Sequence, residues 1–150
     1  MKPIEPRECW ALAVYVMVRD RRGRVLFLRR SQSAKHFAGY WEFPGGKPAP
    51  GESFDRTADL EVTEETGLYV TPRSIAGATD CVLPGLRVAL LFFEGRTSKS
   101  DVTLSGEHDT YCWLPLTQAG SLRLRPGFTR FISEYRKLHL RKGPAPPHCD

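Results

Sequence analysis

The sequence lacks the features that place a protein in a membrane or in an oxidising compartment. No apolar run approaches the roughly 18–20 residues that span a bilayer. Residues 1–8 lack the apolar segment of a secretory signal peptide. The four cysteines, at positions 9, 81, 112 and 149, form no Cys-x-x-Cys pair that would suggest zinc binding or redox chemistry. We therefore expect a cytoplasmic protein with free thiols and no membrane partner.

Excess charge is also missing from most of the chain. The net charge is +5, and the whole excess lies in residues 121–150, which contain seven lysines and arginines but only two acidic residues. A basic stretch of this kind can contact nucleic acid or polyphosphate, or it can be a solvated helix face. The sequence leaves both interpretations open.

The composition is that of one globular domain, with 41% apolar and 26% charged residues. Apolar runs predict strands, and apolar residues at four-residue spacing predict helices. We expect an α/β domain with a mixed sheet over residues 1–142, followed by a flexible tail over residues 143–150. The predicted strands cover residues 10–18, 25–28, 72–82, 86–94 and 111–114, and the predicted helices cover 53–66 and 127–140. A long ordered loop with room for one short strand is predicted at 31–51, and a polar loop at 96–109.

The first predicted helix has clear start and stop signals. Ser53 can cap its N-terminus, and Gly67 supplies the left-handed residue that ends it. Phe54, Ala58 and Val62 recur every four residues, which predicts that they form the buried stripe.

The same helix carries three glutamates on one face. Glu61, Glu64 and Glu65 stand at i, i+3 and i+4, a spacing at which like charges destabilise an isolated helix by about 0.2–0.5 kcal/mol per pair. Grouped oxygen ligands without neutralising lysines suit a hard divalent cation, Mg²⁺ with Mn²⁺ as a substitute. A solvated acidic patch is the alternative.

The loop before the helix and the helix together resemble the signature of the Nudix hydrolases. The sequence Pro44-Gly45-Gly46-Lys47 leads into the motif, and the specified positions match at Gly46, Glu52, Glu61, Val62, Glu64, Glu65, Gly67 and Leu68. The arginine of the signature falls on Leu60. In the family that arginine supports the first glutamate of the signature, which is Glu52 here, so Glu52 lacks its expected partner. Arg56 is the candidate substitute.

The resemblance implies an α/β/α sandwich with a catalytic helix at about 53–66. It also implies magnesium-dependent hydrolysis of a nucleoside diphosphate linkage. Glu64 is then the first choice of general base in the helix, and Glu107, six residues before Trp113, is a further ligand or base from a distant loop. His108 is expected to be a surface neighbour. By this resemblance the catalytic residues are Glu61, Glu64, Glu65 and Glu107, and the metal ligands are these four with backbone carbonyls of Gly45 or Gly46.

Residues 25–51 are most similar to the MutT-type members of the family, which act on nucleoside triphosphates. This likeness predicts that substrate is bound by Arg30, His36, Glu42, Phe43, Lys47 and Arg125. Core packing is the alternative for Phe43. In enzymes that recognise oxidised guanine, the residue aligned with Arg125 is an asparagine, so recognition of 8-oxoguanine does not follow from the alignment.

Other activities remain open within this resemblance. A capped or triphosphorylated RNA end, or a nucleotide sugar, would use the same diphosphate chemistry, and the basic stretch favours RNA. A nucleotide-binding module with weakened catalysis is a third hypothesis, which rests on Leu60 alone. A homodimer is compatible with the sequence, which identifies no interface.

Overall fold

The computed structural model describes residues 8–140, apart from the side chains of residues 71–73 and 140. The predicted tail at 143–150 and Cys149 lie outside these residues. No helix in the described part of the chain is long and apolar enough to cross a membrane. The elements are β1 (Trp10–Arg19), β2 (Val25–Arg30), β3 (Trp41–Glu42), β4 (Gly45–Gly46), α1 (Phe54–Thr66), β5 (Thr71–Leu83), β6 (Leu86–Arg96), β7 (His108–Leu114), a 3₁₀ helix (Leu116–Ser121) and α2 (Phe128–Leu140).

The strands form one mixed sheet around a parallel central pair. The main order is β3-β2-β1-β6-β5, while β4 pairs with β1 and β7 pairs with β2. Strands β1 and β6 run parallel over ten residue pairs, and the other pairings are antiparallel. The predicted mixed sheet is therefore confirmed.

The central strand β1 is covered on both faces. Ala13, Tyr15 and Met17 belong to one buried cluster, which includes the aromatic residues of α2. Val14, Val16 and Val18 belong to the other, which includes Ala58 and Val62 of α1. Because successive side chains of a strand point to opposite faces, this alternation places α2 on one side of the sheet and α1 on the other. The α/β/α arrangement agrees with the prediction.

The ends of α1 follow the predicted signals. Ser53 Oγ accepts a 3.2 Å hydrogen bond from the Arg56 amide, and Gly67 adopts a left-handed conformation with φ of 71°. The predicted buried stripe is wrong at its first member, because Phe54 is 49% exposed. As the first helical residue, Phe54 precedes the buried face of α1, which begins at Thr57 and Ala58.

Two loop predictions differ from the structure. The loop at 31–51 contains the two short strands β3 and β4, and β4 pairs with the centre of β1. Strand β7 begins at His108, three residues before the predicted start at Tyr111. The first residues of β7 are polar, so the alternation of apolar and polar residues that predicts a strand is too weak to detect there. Both differences bring loop residues onto the sheet beside α1.

Candidate active site

The three helix glutamates differ in their exposure. Glu65 is buried, Glu61 is partly buried and Glu64 is exposed. Glu65 Oε2 accepts a 3.1 Å hydrogen bond from the Gly45 amide. This bond fixes α1 against β4 at the point where the carboxylates gather, so β4 and the acidic face form one unit.

The two glycines of β4 pass through a narrow space. A β-carbon on Gly45 would lie 2.2 Å from the carbonyl oxygen of Val14, and one on Gly46 would lie 2.8 Å from the carboxylate carbon of Glu61. Side chains at these positions would therefore collide with β1 or with Glu61. The absence of side chains lets the backbone of β4 run directly beside the acidic face.

Burial and mutual repulsion disfavour the ionised forms of Glu61 and Glu65. Burial raises the pKa of Glu65 well above its usual range, and the charge of Glu42 raises it further, against the opposing bond from Gly45. Burial also raises the pKa of Glu61, and the charges of Glu64 and Glu107 add to this effect. A divalent cation would offset both costs, so the residues present fit a hard cation.

Glu107 joins this group from the turn directly before β7. One carboxylate oxygen each of Glu65 and Glu107 and one ring nitrogen of His108 lie within 4.8 Å of one another. The Ser31 amide donates to the Glu107 carbonyl at 2.9 Å, which holds the loop in place. Glu64 is not part of this close group, although its charge acts on Glu61.

The expectation that His108 lies at the surface is wrong. Its side chain is buried and Nε2 lies 2.9 Å from Glu42 Oε1. The register of β2 and β7 shifts between Arg29 and Arg30, where Arg30 pairs with His108. His108 thus turns inward at the end of the strand pair, a feature that its polar sequence context did not reveal.

Glu42 is the centre of a buried network of ion pairs. Its Oε1 accepts from Arg30 Nη1 at 3.0 Å, and its Oε2 accepts from Arg125 Nη1 at 2.8 Å. Burial alone would raise the pKa of Glu42, but the bond from His108 and the charges of Arg125 and Arg30 outweigh it and hold the pKa below its usual range. Glu42 therefore stays ionised and fixes both arginines, rather than forming part of the cleft surface.

A cleft of about 280 Å³ opens beside these groups, with Tyr15, Ala13, Leu83 and Val88 in its wall. Phe43 is fully buried in the aromatic core, which agrees with core packing, the alternative to substrate binding for this residue. A larger cavity of about 500 Å³ lies between the 3₁₀ helix and α2, away from the acidic cluster. The residues proposed from sequence that line the cleft are Arg30, His36, Gly45, Gly46, Lys47, Glu61, Glu107 and Arg125.

Sequence reasoning missed two aromatic residues that contact Arg125. Tyr15 OH accepts a 2.6 Å hydrogen bond from Arg125 Nη1, and the Phe37 ring centre lies 4.9 Å from the guanidinium carbon. Phe37 has φ of 55° and is the only non-glycine residue with positive φ in the described part of the chain. Such a conformation costs about 1–3 kcal/mol and is frequent at functional sites. Tyr15 lies within an apolar run typical of core, and nothing in the sequence indicated the backbone conformation of Phe37.

Glu52 has a different partner from the one suggested by sequence. Its Oε1 accepts a 2.6 Å hydrogen bond from Thr57 Oγ1 and a weaker one, at 3.4 Å, from the Ala49 amide. Arg56 uses its backbone amide to complete the Ser53 cap, whereas Glu52 bonds to Thr57 and Ala49. The candidate role of Arg56 is therefore not supported among the described residues.

Known proteins share both the sequence pattern and this architecture. The model of the NUDIX domain family matches residues 10–135. An 8-oxo-dGTP diphosphatase of Proteus vulgaris is 30% identical over 78 residues, which are 52% of this chain and 70% of the relative.

Solved structures extend the comparison to almost the whole chain. A MutT protein from Methanosarcina mazei Go1 is 34% identical with a TM-score of 0.83, covering 93% of this chain and 100% of that protein. The NUDIX domain of Shewanella oneidensis NrtR, solved with ADP ribose, shares the fold at 18% identity with a TM-score of 0.74, covering 91% and 94% of the two chains. The chain belongs to the NUDIX domain family and is a MutT-like Nudix pyrophosphohydrolase.

Proposed function

We propose that the protein hydrolyses a nucleoside triphosphate to the monophosphate and pyrophosphate, with Mg²⁺ as its cation. The observation that carries this proposal is the distribution of charge along the cleft. Glu61 and Glu107 line it together with Arg30 and Lys47, so carboxylates and positively charged side chains face the same space. A polyphosphate with bound metal ions needs both kinds of group. The carboxylates bind the metal ions, and the basic side chains bind the phosphate oxygens that the metal ions leave free.

The donor atoms favour Mg²⁺ over softer metals. Glu61, Glu64, Glu65 and Glu107 offer carboxylate oxygens, and Gly45 or Gly46 would add a backbone carbonyl oxygen. When bound, the cation neutralises phosphate charge and lowers the pKa of water at the site. Mn²⁺ accepts the same oxygen ligands and is the expected substitute.

Arg30 is well placed to bind phosphate. Its Nε donates to the His36 carbonyl at 2.8 Å and its Nη1 to Glu42, so the guanidinium is held in one orientation beside the cleft. The fixed fork of an arginine can pair with two phosphate oxygens at once. Lys47 follows the glycine strand directly and supplies a second, more mobile positive charge.

Glu64 is the proposed general base. It is exposed, unlike the buried Glu65, so a water molecule can reach its carboxylate. It stands one helical turn from Glu61, which places it beside the cation ligands. A base in this position would accept a proton from the water that attacks phosphorus.

The nucleoside is proposed to lie at the end of the cleft that holds Tyr15 and Arg125. Leu83 and Val88 give this end an apolar wall. Arg125 has only donors, and its buried Nε–H has no hydrogen-bond partner among the described residues. It would therefore pair with an acceptor on the base, such as a carbonyl oxygen. The activity named for the Proteus vulgaris relative supports a nucleoside triphosphate as the substrate class.

A substrate panel tests the proposal. Release of pyrophosphate and phosphate would be measured for ordinary and oxidised nucleoside triphosphates, dinucleoside polyphosphates, nucleotide sugars and triphosphorylated RNA. We expect magnesium-dependent pyrophosphate release from a nucleoside triphosphate. Glu64→Gln should abolish it, whereas Glu134→Gln, an exposed glutamate on α2, should not. Turnover that is independent of Mg²⁺ or unaffected by Glu64→Gln would refute the mechanism.

One observation favours triphosphorylated RNA as a second candidate. The guanidinium carbon of Arg123 lies 4.0 Å from the Tyr40 ring centre, and that of Arg29 lies 6.0 Å from the Trp41 ring centre. Aromatic residues interleaved with arginines are typical of single-strand binding surfaces. If RNA is the substrate, KM should rise steeply with salt, whereas turnover of free nucleotides should respond much less.

A further inference from the structure

The loop that joins β4 to α1 is tied to the helix by one threonine hydroxyl. Thr57 is fully buried, and its Oγ1 lies 2.6 Å from Glu52 Oε1 and 3.0 Å from the Ser53 carbonyl oxygen. A hydroxyl has one proton and two acceptors compete for it. The contact with the carboxylate is shorter and charge-assisted, so the proton belongs to the bond with Glu52.

This hydroxyl is the strongest fixed contact of Glu52. The other contact of its carboxylate within the described residues, from the Ala49 amide, is long at 3.4 Å. The Glu52 amide in turn donates to the Ala49 carbonyl at 2.9 Å, which closes the turn but does not orient the carboxylate. Without Thr57, the weak amide contact is the one that would remain on the carboxylate among residues 8–140.

The Glu52 carboxylate acts on the acidic cluster. Thr57 and Glu61 stand four residues apart on α1 and share one face of the helix, so the Glu52 carboxylate that bonds to Thr57 lies about one turn from Glu61. Glu52 is therefore close enough to add to the potential that attracts a cation. Position 60, where the family signature has an arginine, holds a leucine, which can neither donate to Glu52 nor offset its charge.

We infer that Thr57 is a positioning residue that replaces the missing arginine at position 60. Its hydroxyl orients the Glu52 carboxylate at the edge of the acidic cluster, and through Glu52 it sets the affinity of the site for a divalent cation. The inference rests on the proposed cation site. The threonine hydroxyl is neutral, whereas the arginine that it replaces is positively charged. With Leu60 in place of that arginine, the site keeps one more unit of negative charge beside the cation.

Direct Mn²⁺ binding, followed by electron paramagnetic resonance without substrate, tests the inference. Thr57→Val keeps the shape of the side chain and removes the hydroxyl, and Thr57→Ser keeps the hydroxyl. Thr66→Val is the matched control, since Thr66 is also fully buried in α1 but its hydroxyl donates to the Val62 carbonyl and accepts from the Leu68 amide. Thermal unfolding of each variant shows whether it is folded.

Outer-shell groups of a metal site typically contribute about 10–100-fold in metal affinity, and Glu52 with its partner Thr57 belongs to this outer shell because Glu52 is not one of the proposed ligands. We therefore expect Thr57→Val to raise the Kd for Mn²⁺ at least about tenfold, with Thr57→Ser and Thr66→Val close to wild type. Adding Leu60→Arg to Thr57→Val should restore most of the affinity. The Mg²⁺ concentration for half-maximal activity should shift in the same order, with a smaller change in kcat at saturating Mg²⁺.

The outcomes separate this inference from the proposed function. Wild-type affinity in a folded Thr57→Val, or equal weakening in Thr57→Ser, would overturn the role of the hydroxyl and leave the cation site standing. Equal weakening in Thr66→Val would also overturn it, because general loosening of α1 would then explain the effect. Failure of the wild type to bind Mn²⁺ would overturn the cation site and this inference together.

Discussion

Gly46 lies so close to Glu61 that a β-carbon at position 46 would be 2.8 Å from the Glu61 carboxylate carbon. The neighbour is the end of a flexible side chain, so Gly46→Ala should fold and displace the carboxylate. We expect the Mg²⁺ concentration for half-maximal activity to rise at least about tenfold, the lower end of the range for disturbed metal ligands. Gly120→Ala is the control, because a β-carbon there meets nothing within 4 Å. Unchanged Mg²⁺ dependence in Gly46→Ala would mean that Glu61 does not bind the cation from its observed position.

Gly45 provides a contrasting substitution one residue away. A β-carbon at position 45 would lie 2.2 Å from the Val14 carbonyl oxygen and 2.7 Å from the Tyr15 α-carbon. Backbone atoms of the central strand cannot move aside without breaking the β1–β4 pairing. We therefore expect Gly45→Ala to unfold or aggregate where Gly46→Ala stays folded. Circular dichroism melts of both variants measure this difference, and equal melting temperatures would contradict it.

The Glu42 network predicts a large loss of stability from one isosteric change. Glu42→Gln keeps the shape of the side chain but removes the negative charge that faces Arg30, Arg125 and His108. Removing one partner of a buried ion pair typically costs about 3–5 kcal/mol, because the remaining charges lose their compensation. The free energy of unfolding in urea should fall by about this amount in Glu42→Gln. The exposed pair of Glu134 with Arg130 supplies the control, since Glu134→Gln should change stability by about 0–1 kcal/mol.

Local signals explain what the sequence could predict. The caps of α1, its glutamate spacing and the two-sided burial of β1 depend on residues within a few positions of one another. The candidate acidic face follows from these patterns, whereas the α/β/α sandwich was implied by the resemblance to the Nudix hydrolases.

Long-range contacts and loop conformation explain what the sequence could not predict. The bonds from Arg125 to Tyr15 and to Glu42 join residues 110 and 83 positions apart, and such contacts leave no periodic pattern. The burial of His108 depends on the register shift in the β2–β7 pair. The bond between Thr57 and Glu52 depends on the turn at Ala49, so the residue that occupies the role of the signature arginine could not be identified from spacing.

Arg125 is predicted to bind substrate in addition to its place in the Glu42 network. Arg125→Gln should raise KM for the nucleotide at least about tenfold, because a hydrogen bond to a charged group contributes about 1.5–3 kcal/mol. It should also lower stability, since Glu42 would lose one of its two arginines. Arg123→Gln is the comparison, because Arg123 is exposed and stacks on Tyr40. Steady-state kinetics on the preferred substrate would separate the two effects, and an unchanged KM would limit Arg125 to a structural role.

The raised pKa values of Glu65 and Glu61 predict an unusual pH dependence of stability in the absence of divalent cations. Burial raises both pKa values in the folded state, so the folded protein holds protons that the unfolded chain releases near its ordinary glutamate pKa of about 4.3. This contribution to stability is complete below that pH and is lost as pH rises through the folded-state values. The lowered pKa of Glu42 acts in the opposite sense, but only as pH falls below the ordinary range.

Urea unfolding with a chelator between about pH 5 and pH 8 measures this dependence, because the window lies above the ordinary glutamate pKa. The free energy of unfolding of the wild type should fall as pH rises, and Glu65→Gln should reduce the slope. The glutamine carbonyl can still accept from the Gly45 amide, so the comparison isolates the ionisation of Glu65. Saturating Mg²⁺ should reverse the wild-type trend, because the cation binds the ionised carboxylates and its affinity rises with pH. Equal slopes for wild type and Glu65→Gln would mean that Glu65 is ionised at no cost in the metal-free fold.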